Sequence, residues 1–284
     1  MMRSMDAAIE VLGLRKAYGS REALRGVDFT VARGDVYGLL GPNGAGKTTC
    51  VEVLEGYRAL DGGTVRVLGQ EPGSRALRAR VGIVLQSCGT YPHLSVRETV
   101  THWASFYPAP RAVDEVLELA GLRDVAARRA RVLSGGQRRR LDFALALIGD
   151  PELVFLDEPT TGFDPAARRA AWEVVRALRE LGKTVVLTTH YLDEAQALAD
   201  RVAILKDGRV LAEGPPDSLG ASHYRVAWRD PSGSIVERFT DDPTALLARI
   251  TAEALARGER LEELSVTRPS LEDVYLELTE ALAA

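Results

Sequence analysis

Gly41-Pro42-Asn43-Gly44-Ala45-Gly46-Lys47-Thr48-Thr49 is the stretch from which the rest of the chain is read. It fits Gly-x-x-x-x-Gly-Lys-Thr, the phosphate-binding loop, and it has the flanks that the motif needs. Val36 to Leu40 reads as a strand before it, and Lys47 to about Glu55 reads as a helix after it. The glycines let successive backbone N–H groups turn in around a phosphate, with the positive end of the helix dipole behind them. Lys47 then supplies a point charge for the β- and γ-phosphates, and the Thr48 hydroxyl is placed to ligate the magnesium that accompanies a nucleotide. A nucleoside triphosphate is the expected ligand.

With 284 residues, the chain has room for one large α/β domain and a small appendage. The net charge of −4 argues against a dedicated polyanion binder, because no global positive field would collect DNA or RNA. Only Lys16, Lys47, Lys183 and Lys206 among the 36 basic residues are lysine, which reads as codon bias towards arginine. Cys50 and Cys88 have no metal-ligand spacing, so a reduced, cytosolic setting is expected. Met-Met-Arg-Ser-Met-Asp at the start leads into no apolar segment of the secretory kind. No run of about 18 apolar residues is present to cross a bilayer, so a membrane role is expected to act through a partner.

Before the loop, residues 8 to 40 read as strands and turns, with Val27-Asp-Phe-Thr-Val31 alternating. Tyr18, beside Gly19, either packs half-buried at a strand end, as the local sequence favours, or offers a flat face to an adenine base. Beyond the loop, strands are expected at Thr64 to Leu68 and Arg80 to Leu85, the second running into Gln86. Gln86 either reaches into a site or is a solvated loop amide. From Ser95 to about Leu122 the pattern is helical, opened by the capping box Ser95-x-x-Glu98. Leu133-Ser134-Gly135-Gly136-Gln137 follows, a second helix N-terminus bare enough for a phosphate to approach. Leu153-Val-Phe-Leu156-Asp157-Glu158 is an apolar strand ending in two acids, a costly arrangement unless a cation or catalysis requires it. Asp164-Pro165 caps a helix from Ala166 to Leu181, and the strand Thr184 to Thr189 ends in His190, which is either structural or part of a site at the sheet edge. A helix from Leu192 to Asp200 and a pair of strands around Asp207-Gly208 close this part. After Gly214-Pro215-Pro216, a strand, strand, helix, strand, helix order is expected, carrying no chemical constellation of its own.

Together these motifs resemble the ATP-binding subunits of ABC transporters. Gly41 to Thr49 matches the Walker A motif, Leu153 to Glu158 the Walker B motif, and Leu133 to Gln137 reads LSGGQ, the signature of that family. Gln86 matches the Q-loop, Asp164 the D-loop, His190 the switch histidine and Tyr18 the adenine-stacking aromatic, in order across residues 9 to 216. Arg268-Pro-Ser-Leu-Glu-Asp-Val-Tyr-Leu is similar to the ending of drug-export subunits of the daunorubicin-resistance type. Phe163 departs from the leucine common in the D-loop, which bears on packing at a dimer interface.

The resemblance implies an α/β, P-loop NTPase core with a parallel sheet, an N-terminal antiparallel β subdomain, a helical insertion at about 87–145, and a small α+β appendage. The boundary is expected between an ATPase domain at 1–216 and an accessory domain at 217–284. It implies ATP and Mg2+ as ligands, with Thr48, Gln86 and Asp157 attending the metal, Glu158 as the base and His190 holding γ-phosphate and water in line. Two copies are expected to close head to tail, Leu133 to Gln137 of one completing the site of the other. The implied partner is a separate integral-membrane permease, at the cytoplasmic face of the membrane, for export of a small molecule, drug or lipid, with no nucleic acid. The competing reading is a soluble ABC ATPase acting on nucleic acid or ribosomes. Against it, only 87 positions separate Lys47 from Ser134, with no sustained heptads for a long coiled coil, and there is one cassette in the chain.

Overall fold

The structure is a computed structural model and describes residues 7–84, 91–217, 219, 224–230, 232–267 and 271–280. The chain divides into two compact units, Met1–Glu213 and Gly214–Ala284. In chain order the first carries β1 (Ala7–Tyr18), β2 (Arg21–Ala32), β3 (Val36–Leu40), α1 (Lys47–Glu55), β4 (Gly62–Val67), α2 (Arg75–Arg78) and β5 (Val81–Val84). There follow α3 (Val96–Ala104), α4 (Val113–Leu119), α5 (Gly135–Leu147), β6 (Leu153–Asp157), α6 (Pro165–Glu180), β7 (Thr184–Thr189), α7 (Leu192–Leu198), β8 (Arg201–Lys206) and β9 (Arg209–Gly214).

Six strands form the central sheet in the order β5-β6-β7-β3-β8-β9, and β5 to β8 run parallel. β9 returns along β8 through Asp207 and Gly208, both at positive φ, which is the backbone of a two-residue hairpin turn. A second, antiparallel sheet has the order β2-β1-β4. Alternation decides what each strand touches. Val154, Leu156, Val185 and Leu187 point into one core cluster with Leu141 of α5 and Leu178 of α6. Leu153, Phe155 and Val186 point into another, with Leu54 of α1 and Ile9, Val27 and Val65 of the antiparallel sheet. The central sheet is thus covered on both faces, which is why β3 and β6 read as nearly unbroken apolar runs. Each fully buried side chain of this kind contributes roughly 1.5–3 kcal/mol, enough to hold the strand ends in fixed register.

The helical pattern expected from Ser95 to Leu122 is two helices, α3 and α4. Pro108 and Pro110 lie between them; proline lacks the N–H and clashes with the preceding turn, so one continuous helix is forbidden. The Ser95 capping box is formed: its Oγ accepts from the Glu98 N–H at 3.2 Å, and Glu98 Oε2 accepts from the Ser95 N–H at 2.7 Å.

The second unit contains β10 (Tyr224–Arg229), β11 (Ile235–Thr240), α8 (Pro243–Ala256), β12 (Glu262–Thr267) and α9 (Leu271–Glu280). Its antiparallel sheet has the order β11-β10-β12. Val226 of β10 packs with Leu246 and Ile250 of α8 in a small core of its own. The element order is the one expected from the sequence.

Candidate functional site

Sheet order brings the chemistry together. β7 lies between β6 and β3, so Asp157 stands opposite Thr188 and Leu40 opposite Thr189. Three neighbouring parallel strands therefore deliver the phosphate loop, Asp157-Glu158 and His190 to one carboxyl edge, where ligand sites of α/β sheets gather.

Gly41 and Gly46 show why the loop needs glycine. A methyl group on Gly41 would lie 2.2 Å from the Leu205 carbonyl oxygen, and Gly46 has φ 109°, which a side chain would strain. Gly46 is the N-cap of α1 and provides no side-chain cap, so the first-turn N–H groups of the helix are left to a ligand. Pro42, Asn43, Gly44 and Ala45 complete the turn, with Ala45 buried and its N–H bonded to the Pro42 carbonyl at 3.2 Å. Lys47 is 4% exposed. Its Nζ donates to the Gly41 carbonyl at 2.8 Å and stands 3.5 Å from Glu158 Oε1. Burial pulls the Lys47 ammonium below its usual pKa, and Glu158 and Asp157 counter this.

Thr48 Oγ1 donates towards Asp157 Oδ1 at 3.4 Å. This hydroxyl and carboxylate are hard oxygen donors of the kind that would suit magnesium. Among the described residues no group of three or more His, Cys, Asp or Glu could hold a metal ion, and a site of this type does not require one. Gln86 lies outside the described residues.

Glu158 follows β6 at φ 45°, the left-handed region that costs a non-glycine residue about 1–3 kcal/mol. Its surroundings hold it there. Its N–H donates to Thr188 Oγ1 at 2.9 Å, and Thr161 Oγ1 donates to its Oε2 at 3.0 Å. His190 Nδ1 is 3.6 Å from Glu158 Oε1 and is a buried nitrogen with no hydrogen-bond partner. The Tyr191 ring lies 4.1 Å from the His190 ring, and the Arg168 guanidinium of α6 sits 4.4 Å from the Tyr191 ring centroid. Behind them Glu194 of α7, 1% exposed, accepts from Trp172 Nε1 of α6 at 3.1 Å, and burial raises its pKa.

The structure separates other expected residues from this edge. Ser134 caps α5: its Oγ accepts from the Gln137 N–H at 3.2 Å, and Gln137 Oε1 accepts from the Ser134 N–H at 3.1 Å. Ser134 and Gly135 are exposed, Leu133 is buried as their anchor, and a methyl group on Gly135 would meet nothing within 4 Å. Gly136 approaches Ala167 of α6, whose N-cap is Asp164, accepting from the Ala167 N–H at 2.8 Å. Signature and D-loop thus neighbour each other on a surface open to solvent. Phe163 is half-buried and packs against its own core cluster. Tyr18 is 42% exposed at the end of β1, with Lys16 Nζ 5.8 Å and Arg58 Cζ 5.9 Å from its ring centroid.

Two residues of the site carry no motif of their own. Thr188 is fully buried, donates to Asp157 Oδ1 at 2.6 Å and accepts from the Glu158 N–H. Thr161 holds the Glu158 carboxylate. Nothing local singled out Thr188, one of three threonines, with Thr184 and Thr189, in the buried strand β7.

The ABC transporter family matches residues 24–161 of the chain. The chain is 40% identical over 297 residues to Nod factor export ATP-binding protein I of Paraburkholderia xenovorans (strain LB400), covering 96% of this chain and 97% of that protein. It is 40% identical over 304 residues to the daunorubicin/doxorubicin resistance ATP-binding protein DrrA of Streptomyces peucetius, covering 96% of this chain and 92% of that protein. Among solved structures it is similar to the dimeric post-hydrolysis state of the ATP-binding cassette MJ0796 bound to ADP and Pi, with a TM-score of 0.65 and 27% identity over 73% of this chain and 98% of that chain.

Proposed function

This chain belongs to the ATP-binding family of ABC transporters and is an ATPase, and from that premise we propose that it drives export of a small molecule, drug or lipid through a separate membrane permease. The observation that supports the reading is that the residues expected to hold ATP lie on two surfaces of the chain. The phosphate loop, Asp157, Glu158 and His190 converge at one sheet edge, while Ser134 caps a helix whose N-terminus is exposed. A second copy of the chain supplies the missing wall. Each helix-dipole contact is worth about 0.3–1 kcal/mol when exposed and up to ~2 when partly buried, so several donors on a shared triphosphate are needed to close the pair.

Within one site, Lys47 and the α1 N-terminus bind the β- and γ-phosphates, and Tyr18 stacks on the adenine. Thr48 and Asp157, together with Gln86, would hold a magnesium ion, which would neutralise charge on the phosphates. Glu158, pinned by Thr188 and Thr161, accepts the proton of the attacking water or orients it. His190 stands beside it to hold water and γ-phosphate in line. Asp164, next to the signature, reports the state of one site to the other. Loss of the γ-phosphate bridge after hydrolysis lets the copies part.

The helical insertion and residues 86–94 transmit this motion to the permease. Tyr91, His102 and Phe106 support that role as an edge-to-face aromatic cluster whose Tyr91 and Phe106 are exposed. Among the described residues no helix is long and apolar enough to cross a membrane, in keeping with a peripheral subunit at its cytoplasmic face. The resemblance to export subunits over nearly the whole chain favours this over a soluble role on nucleic acid or ribosomes. The test is Glu158→Gln. ATP binding, followed by calorimetry, is expected to persist while turnover falls about 10²–10⁴-fold, the usual worth of a general base. Near-normal hydrolysis would remove Glu158 from the role.

A further inference from the structure

The buried Nδ1 of His190 makes no hydrogen bond among the described residues, so the ring is aimed by the backbone that carries it. That backbone is the turn between β7 and α7, and one hydrogen bond spans it: the Tyr191 N–H donates to Thr189 Oγ1 at 2.9 Å, bracketing His190. A hydroxyl that accepts this bond still has a proton to donate, and where that proton goes decides where its lone pairs point.

The acceptor that faces the Thr189 hydroxyl is the carboxylate of Glu194, in the first turn of α7. Glu194 is 1% exposed, and its Oε1 accepts from Trp172 Nε1 of α6 at 3.1 Å. Burial raises its pKa, and the Thr189 and Thr160 hydroxyls and the Trp172 indole oppose the rise, so two turns and a neighbouring helix approach one acid. Glu194 Oε2 and Thr160 Oγ1 make no hydrogen bond among the described residues, so the acid has closed one bond and has an oxygen left for another. Packing alone does not call for a carboxyl here: leucine or methionine would fill the space without the cost of burying an acid. The positions of the partners are telling. Thr189 precedes His190, Thr160 lies two residues after Glu158, and Trp172 stands on the helix that Asp164 caps. Arg168, one turn before Trp172, strengthens the same contact by donating to Asp193 Oδ2 at 3.1 Å and sitting 4.4 Å from the Tyr191 ring centroid. The turn that bears His190 is thus braced from α6 as well as by its own strand.

We propose that Glu194 is a positioning residue for His190: its carboxylate, fixed by Trp172, orients the Thr189 hydroxyl that bridges the histidine turn and so holds the imidazole beside Glu158. The inference rests on the role given to His190 above and deepens it, naming the group that aims the histidine. Glu194 is buried behind the site and acts only through that turn.

The experiment measures steady-state ATPase and calorimetric ATP binding on the full chain, at one protein concentration, for the native chain, Glu194→Ala, Glu194→Gln and Trp172→Phe, and repeats Glu194→Ala and Trp172→Phe in a His190→Ala background. Displacing a reacting group by about 1 Å costs on the order of 10²-fold in rate, so kcat in Glu194→Ala is expected to fall by roughly 10- to 100-fold. KM and ATP affinity are expected to stay, because the phosphate loop is untouched. Trp172→Phe removes the donor and keeps most of the aromatic volume, and is expected to lower kcat in the same direction by less. Glu194→Gln keeps an oxygen for Trp172 and an amide for the Thr189 oxygen, and is expected to restore most of the turnover that Glu194→Ala loses. In the His190→Ala background Glu194→Ala is expected to cost nothing further, since a residue that acts through another is silent once the other is gone. A fall there by the same factor as in the native chain would make Glu194 a support of the fold at large and overturn the proposal. Native kcat in either Glu194→Ala or Trp172→Phe, or a loss of ATP affinity in place of kcat, would overturn it as well. Should Glu194→Ala not fold, Trp172→Phe in the two backgrounds completes the same cycle. Native turnover in His190→Ala would overturn the reading of His190 and this inference with it.

Discussion

Replacing Thr188 by valine removes one hydroxyl and keeps the shape of a buried β-branched side chain, which isolates what that oxygen does. It receives the Glu158 N–H at 2.9 Å and donates to Asp157 Oδ1 at 2.6 Å. Leaving a buried N–H without an acceptor costs about 1–3 kcal/mol, and losing a hydrogen bond to a charged acceptor about 1.5–3. Both bonds end on the same oxygen and are coupled, so a total of about 2–4 kcal/mol is expected rather than the full sum. For a unit of this size that lowers the melting temperature by roughly 4–16 °C. The larger effect falls on turnover. Glu158 holds a left-handed backbone at φ 45°, and without the Thr188 acceptor it relaxes towards an ordinary conformation. Displacing a reacting group by about 1 Å costs on the order of 10²-fold in rate. The assay is steady-state ATPase with calorimetric ATP binding and thermal unfolding, using Thr188→Ser as a control that retains the hydroxyl. Thr188→Val with native turnover at a lowered melting temperature would refute the positioning argument and leave Thr188 a purely structural residue.

Ser134→Arg is expected to abolish nucleotide-dependent dimerisation, read by size-exclusion chromatography with light scattering, while ATP binding to the monomer is kept; dimers that persist would contradict the shared site. Glu152 gives a prediction for pH. Arg80, and Arg33 after it, hold its carboxyl at about 2, below its ordinary 4.5. A depressed folded-state pKa contributes stability that is whole above about pH 4.5 and is lost as the pH falls towards about 2. Glu152 is 42% exposed, so solvent and salt screen the pair, and the advantage of the native chain over Glu152→Gln in thermal unfolding should shrink both in acid and in high salt. For Glu55 the sign is reversed. A carboxyl raised from 4.5 to about 8 takes up a proton on folding, so the native chain loses stability as the pH rises across that window and Glu55→Gln does not, a divergence measurable by melting temperatures at both ends.

The sequence by itself determined the parts whose meaning is local. The phosphate loop, LSGGQ and the acidic strand end are runs of nine residues or fewer whose composition answers to backbone geometry: glycine where a Cβ has no room, a hydroxyl at a helix cap, an apolar strand closed by acids. The order of strands and helices was legible for the same reason, through periodicity, capping and turn residues. Within the helical pattern from Ser95 to about Leu122, the structure adds a division into two helices at Pro108 and Pro110. What only the tertiary structure decided lies between residues far apart in the chain. Thr48 meets Asp157 across 109 positions, and Thr188 meets Asp157 across 31, because β7 is inserted between β6 and β3 in the sheet. Lys47 lies against Glu158 and His190 lies beside it for that same reason. Local patterns fix the hydrogen bonding and faces of each strand but not which strand lies next to which; that is decided by burying both faces of the whole sheet at once. The raised pKa of Glu55 is a product of that packing too, since at the end of an isolated helix it would be solvated.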